Sequence, residues 1–337
     1  MKALVTGAGG FIGGAIARRL VERGDTVRSF SRSRYAALEP IGIEQVQGDL
    51  GEAGDVSNAV AGVDAVFHVA ARFDLWGRYE DFFRTNTLGT RHILQACREH
   101  GVAKLVFTST PSVVHGGDSV DGVDESAPYP DHFEAHYPAT KALAEQEVLA
   151  ANDESLSTVA LRPHLVWGPG DSSALPRLAA RARSGRLRMV GKPQKIDVSY
   201  IDNVVDAHVA AADRLSPEAA CAGKAYFLSQ GEPVRGPQFV NDLLGAAGLP
   251  PVQRTVPLWL ARSLAAVVEG VWSALGRQSE PPLTRFMVSQ LATAHWYDIS
   301  AARRDLDFAP SVSYEEGMTR LRRWLEENPG FLEKHAP

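Results

Sequence analysis

A chain of 337 residues, 45% apolar and 22% charged, is long enough for one large domain plus a smaller one and apolar enough for a well-packed core. Its net charge of −5 speaks against nucleic acid as a partner. Two cysteines, Cys97 and Cys221, exclude a disulfide framework, and no apolar run reaches the ~18 residues of a membrane-spanning helix.

In chain order, the apolar residues 3–5 predict a buried parallel strand. Gly7, Gly10 and Gly13 follow at three-residue spacing, and an amphipathic helix carries Ile12, Ile16, Leu20 and Val21 along one face. Strand, glycine turn and helix start together make an anion site. The absent side chains admit a pyrophosphate, and free N–H groups and the helix dipole stabilise its charge. Because the first apolar run is this strand, no signal peptide is read and the cytoplasm is expected. Residues 26–30 predict a second strand, ending in Ser31-Arg32-Ser33-Arg34 with no acid. An acid there would bind the ribose of NAD, whereas an arginine accommodates the 2′-phosphate of NADP. Arg32 therefore favours NADP(H), with NAD(H) the alternative; a solvated basic loop is the plainer account of the same residues.

Residues 43–48 and 64–68 predict strands three and four, and the loop at 72–84 brings Phe73, Trp76 and Tyr79 to a strand end, either as the wall of a substrate pocket or as a satellite hydrophobic cluster. A helix is expected from Asn86 through Leu94 and Cys97, then strand five over 104–110 and a long loop over 111–136, a length usually kept for function. A helix starts at Tyr137 and strand six covers 157–162. This alternation predicts an α/β fold, a doubly wound parallel sheet of the Rossmann type. The domain expected over 1–170 is followed by a smaller, mostly helical part over 171–337, with some segments returning to the sheet. Short strands are expected near 197–201 and 225–228. Residues 257–275 and 283–291 predict two apolar helices, read either as core packing or as a lid for a greasy ligand or membrane surface.

Tyr137 and Lys141 lie four apart at a helix start and so share a face. A nearby ammonium lowers a phenol's pKa, and a phenol so tuned can exchange a proton with a carbonyl oxygen. His132 and His136 have the spacing of zinc ligands on a helix, but Phe133 stands where a glutamate is needed, so no metal is expected. No Gly-x-Ser-x-Gly elbow marks a hydrolase.

The Gly-x-x-Gly-x-x-Gly turn after Thr6, with Phe11 and Ile12 inside it, and the later Tyr-x-x-x-Lys resemble the extended short-chain dehydrogenase/reductase family, in its 3β-hydroxysteroid dehydrogenase-like branch. The resemblance implies that Gly7, Gly10, Phe11, Ile12 and Gly13 hold the cofactor's pyrophosphate. It places Asp49 and Leu50 at the adenine, with Asp49 as an N-cap the competing account. It sets Ala70, Tyr137, Lys141 and Pro163 along the rest of the cofactor. Thr110 matches the catalytic hydroxyl that joins Tyr137 and Lys141, with Ser109 and Ser112 as alternatives. The stretches at 107–113, 161–171, 200–203 and 280–286 resemble the bacterial 2-alkyl-3-oxoalkanoate reductases, except that His164 stands where that group is expected to have arginine. That narrower resemblance implies NADPH-dependent reduction of a β-keto acid with long alkyl chains, in olefin hydrocarbon biosynthesis. The implied partner is a long hydrophobic small molecule. Peripheral contact with a membrane or with other enzymes of the pathway, and a homodimer, stay open. The alternatives are a sterol-type dehydrogenase, a nucleotide-sugar epimerase or dehydratase using the arginines at 177–188, and a non-catalytic NADP-sensing module.

Overall fold

A computed structural model describes residues 1–336. Seven strands form the main sheet: β1 (Lys2–Thr6), β2 (Thr26–Ser31), β3 (Glu44–Gln47), β4 (Ala65–His68), β5 (Lys104–Thr108), β6 (Ser157–Pro163) and β7 (Lys224–Leu228). All neighbours are parallel, in the order β7-β6-β5-β4-β1-β2-β3. This is the Rossmann-type arrangement expected, with a seventh strand added. Strand order reverses between β1 and β4, and a ligand crevice is expected outside the carboxyl ends of these two strands.

Alternation along the strands splits the core in two. Ala3 and Val5 pack on one face with Val106, Val159, Ile16 and Leu20. Leu4 packs on the other with Val66, Leu105, Phe107, Ile93 and Ala144. Both faces of the sheet are thereby covered by helices, which is why its strands read as unbroken apolar runs. The part of the chain beyond residue 170 returns to this core. It supplies β7 and the helix Ile201–Arg214, which is ion-paired to the first helix, Phe11–Glu22, and the residue after it through Arg19–Asp206 and Arg23–Asp213.

Three local expectations need correction. The long loop after β5 holds a 3-10 turn, Pro111–Val114, and a strand, Val120–Val123, that pairs in parallel with His295–Tyr297. Long-range pairing leaves no periodic signal in so short a segment. The helix expected from Asn86 begins earlier, at Tyr79, and passes through a π-helical turn, Phe83–Leu88, before Gly89–Glu99. The apolar helix Leu258–Ala274 buries only Ala261 and Ala265, leaving most of its large side chains in solvent, so it is not core packing. Among the described residues no helix is long and apolar enough to cross a membrane.

Candidate active site

The glycine turn closes on itself. Gly10 N–H donates to the Gly7 carbonyl at 2.9 Å, and a Cβ on Gly13 would run into that same carbonyl. Gly7 has φ +71, and a Cβ there would lie 3.0 Å from Ala70 Cα, so glycine brings the turn against the exit of β4. Gly10 is the N-cap of the helix Phe11–Glu22, with no side-chain cap and no acid in the first turn. Phe11 and Ile12 are half-buried behind it. The N–H groups of that turn remain available to an anion.

A chain of buried polar groups holds the exit of β4. Thr6 Oγ1 accepts from Val69 N and Ala70 N, both at 3.0 Å, and meets His68 Nδ1 at 2.9 Å. His68 Nε2 meets Thr90 Oγ1 at 3.0 Å, and Thr90 donates to the Asn86 carbonyl at 2.6 Å. Thr90 therefore accepts from a protonated Nε2, and Nδ1 accepts from Thr6. Burial, and then the charge of Lys141, push the His68 pKa down to about 3, so the ring is a neutral strut. Asn86 in the π-helical turn donates to Thr140 Oγ1 at 3.0 Å and clasps the backbone of Arg72 from both sides. It ties the backbone at Arg72, ahead of the helix that begins at Tyr79, to the helix His136–Ala150.

That helix begins one residue before Tyr137. Tyr137 is half-buried and Lys141, one turn on, fully buried. Lys141 Nζ donates to the Thr108 carbonyl at 2.7 Å and lies 3.8 Å from the centre of the Phe107 ring. Burial draws its pKa down to about 7, against the pull of the Glu145 carboxylate one turn further. The Tyr137 phenol, expected to be lowered by the lysine, is instead pushed up to about 12 by burial, partly offset by the Thr110 hydroxyl beside it. Of the three hydroxyls after β5, Thr110 is the one that meets the phenol. It also accepts from Ser112 N at 3.2 Å, capping the 3-10 turn, while Ser109 Oγ is buried without a partner.

The remaining expected residues stand as follows. Arg32 follows β2, exposed, near Asp49, and is in no ion pair among the described residues. Asp49 accepts from Gly51 N and from Arg84 at 2.8 Å each. Partial burial works against ionisation there, but Arg84 and Gly51 hold its pKa below the ordinary value. It is not an N-cap; Glu52 precedes the helix Ala53–Val60. Leu50 is buried beside it. Pro163 closes β6 opposite Leu228. His136 is the first residue of its helix and sets its ring edge-on against Tyr79, 5.5 Å between centres, so His132 and His136 form no ligand pair on a shared helix.

Other residues near the site lie outside the expected set. Glu145 shares the face of Tyr137 and Lys141 at the next i,i+4 step, a signal that the sequence does carry. It is fully buried against Arg162 in a bidentate pair, 2.6 Å at closest, and accepts from Tyr129 at 2.7 Å. His164, the residue that stands at an expected arginine, joins His295 and His115 in a buried cluster. His295 Nε2 meets the Gln290 carbonyl at 2.7 Å and so is protonated there; its Nδ1 accepts from His164 Nε2 at 2.7 Å. Burial and its histidine neighbours hold His164 well below its ordinary pKa, so it is neutral and offers no cation for a carboxylate. Next to it Leu165 takes φ +40, a left-handed conformation unusual for leucine, and stays 42% exposed. Nothing in the sequence announces it.

Residues 4–258 match the 3-beta hydroxysteroid dehydrogenase/isomerase family. The chain is similar to a 2-alkyl-3-oxoalkanoate reductase of Stenotrophomonas maltophilia (strain K279a), 52% identical over 96% of this chain and 98% of that one. It is similar to one of Shewanella oneidensis, 46% identical over 96% of this chain and 86% of that one. In fold it resembles the UDP-glucose 4-epimerase of Thermus thermophilus solved with NAD, with TM-score 0.74 and 23% identity over 97% and 99% of the two chains.

Proposed function

The chain belongs to the 3-beta hydroxysteroid dehydrogenase/isomerase family of extended short-chain dehydrogenases/reductases, and from that premise we propose that it reduces a 2-alkyl-3-oxoalkanoate to the 2-alkyl-3-hydroxyalkanoate with NADPH, in olefin hydrocarbon biosynthesis. The observation that carries this reading is likeness over nearly the whole of both chains to a protein named for that reaction. The Thr110 hydroxyl beside the Tyr137 phenol, with Lys141 one turn further along the same helix, is consistent with it.

The residues present fit a nicotinamide dinucleotide: a cradle that Cβ atoms would fill, an uncapped helix start, and a crevice at the switch of strand order. Gly7, Gly10 and Gly13, with the N–H groups of Phe11 and Ile12, would hold the pyrophosphate. Arg32 would take the 2′-phosphate, Asp49 and Leu50 the adenine, and Ala70 and Pro163 the nicotinamide end. The chemistry such a reduced cofactor would supply when bound there is hydride for the β-carbon. Thr110 and Tyr137 orient the ketone oxygen, which is a source of rate in itself. The Tyr137 phenol is protonated at neutral pH, the state that can hand a proton to that oxygen. Lys141 in its ammonium form stabilises the phenolate left behind, and Glu145 favours that form. The exposed Leu165 and Phe73 offer apolar surface to the alkyl arms.

The test is kcat/KM with NADPH across β-keto acids of increasing alkyl length. Each CH₂ buried contributes about 0.8 kcal/mol at most, so the series should rise until the apolar surface is used. A flat series, or turnover of UDP-sugars in its place, rejects the reading.

A further inference from the structure

Three ionisable side chains around the Tyr137 helix lie almost wholly out of solvent: Lys141 at 1% exposure, Glu145 at 0% and Arg162 at 3%. Two are cations and one is an anion, and a charge removed from water is costly unless it is paired. Glu145 stands one i,i+4 step from Lys141 on the same helix face. Yet its carboxylate closes on the other cation. Oε1 accepts from Arg162 Nη2 at 2.6 Å and from the Tyr129 hydroxyl at 2.7 Å, and Oε2 accepts from Arg162 Nε at 3.0 Å. Lys141 is in no salt bridge among the described residues; its Nζ donates to the Thr108 carbonyl and rests on the Phe107 ring.

An ammonium has three N–H donors, and only one meets a protein oxygen here. A contact pair with Glu145 would occupy a second and largely cancel the charge. Held off the lysine, the carboxylate still favours the ammonium and leaves its other N–H groups free. Arg162, on β6, is suited to hold it. The guanidinium carries a permanent charge and lies over the Phe227 ring of β7 at 5.0 Å and the Tyr129 ring at 5.9 Å. A buried pair adds little stability over apolar residues of the same volume, so its charge is the feature to explain.

We propose that Glu145 and Arg162 act together as a positioning pair for the reaction: the carboxylate sustains the positive charge on Lys141, and the guanidinium keeps that carboxylate from closing onto the ammonium. The role in the reaction rests on the reading above; the effect on Lys141 does not. Other titratable groups face the cluster. His68 on β4 is neutral. Burial raises the Tyr129, Tyr137 and Tyr297 phenols, so they stay protonated near neutrality. Glu125, on the far side of Arg162, accepts from Phe227 N at 2.8 Å. Glu145 is the carboxylate that acts on Lys141.

The experiment titrates Lys141 directly, by NMR of the full chain labelled with ¹³C at lysine Cε. The chain has seven lysines, and the Lys141 signal is the one lost in Lys141→Met. At the ~6 Å of an i,i+4 step and an effective dielectric of ~20, one unit charge moves a neighbour's midpoint by about two pH units. Glu145→Gln should therefore lower the Lys141 midpoint by about two units. Arg162→Gln should raise it by roughly one, because a like charge is removed and the carboxylate is released toward the lysine. The double variant should lie between the two and below the unaltered protein, the nearer charge dominating. The alkaline limb of kcat with NADPH and a β-keto acid should move in the same order. A merely structural pair would behave otherwise, since breaking it from either side harms the fold alike. Midpoints that move the same way in both single variants, or that stay put, overturn the proposal. Where a single variant gives no cooperative melt, the double variant decides: a lowered midpoint supports the proposal and an unchanged one overturns it. Opposite shifts in a protein that turns over no β-keto acid would keep the pair and reject the substrate reading instead.

Discussion

The nucleotide side of the crevice and the outer layer over the substrate side are built on opposite terms. At the exit of β4, Thr6, His68, Thr90, Asn86 and Thr140 are linked in a single buried chain of hydrogen bonds. Such a network has one arrangement, and a cofactor meets a surface already in place. The Leu258–Ala274 helix buries only two alanines, is tied to the next helix through the exposed Glu269–Arg285 pair, and turns most of its large side chains outward. The difference teaches where each kind of specificity resides. Reaction chemistry depends on groups held by sheet and helix to within hydrogen-bond distance. Recognition of greasy matter depends on apolar area, which tolerates looser packing.

The sharpest way to test the rigid side is Tyr137→Phe. The ring still packs, so cofactor affinity should hold while kcat falls by roughly 10²–10⁴-fold, the usual contribution of a positioned acid. Single-turnover kinetics beside a cofactor titration check it; a variant retaining most of its kcat removes Tyr137 from the chemistry.

Arg32→Ala probes the rim of the same side. A charge-assisted bond to phosphate contributes about 1.5–3 kcal/mol, so the ratio of kcat/KM for NADPH over NADH should drop by roughly ten- to a hundredfold. Equal efficiency of the two cofactors in the unaltered protein would make the arginine a solvated loop residue after all.

His68 tests whether the strut is as neutral as its burial implies. Its folded pKa is about 3 against an ordinary 6.5. Below 6.5 the unfolded chain takes up a proton that the folded one refuses, so the stability this histidine confers is present near neutrality and is lost as pH falls from about 6.5 toward 3. Burial likewise lowers His115 and His208, each to about 4. Acidification from about pH 7 to about pH 5 should therefore lower the melting temperature. His68→Gln should flatten the slope of stability against pH by one proton, about 1.4 kcal/mol per pH unit. An unchanged slope would mean the ring is charged in the fold.

The smallest effect is expected at Leu165→Gly. Relief of the left-handed leucine should raise stability by about 1 kcal/mol at most. Loss of its exposed side chain should raise KM for long alkyl substrates a few-fold and leave a short β-keto acid unaffected. Equal effects on both lengths would detach Leu165 from the alkyl arms.

Local pattern alone specified the glycine turn, the strand before it, the helix after it, and the Tyr137–Lys141 pair. Each is a short-range statement: apolar runs, three-residue glycine spacing, one turn of helix. Even Glu145 is legible in principle, as the next step along that face. Choosing Thr110 over Ser109 and Ser112 needed the third dimension, because three hydroxyls within four residues differ only in which one the Tyr137 helix happens to face. The same holds for His115, His164 and His295, brought together from segments 131 residues apart in the widest bonded pair, and for the left-handed turn at Leu165. Composition made residues 257–275 apolar, but composition is blind to direction. Only packing against Arg285–Ala292 decided that two alanines face inward while Trp259, Leu264 and Val267 face out. Side-chain periodicity reports a difference between faces, and the neighbours alone determine which face is covered.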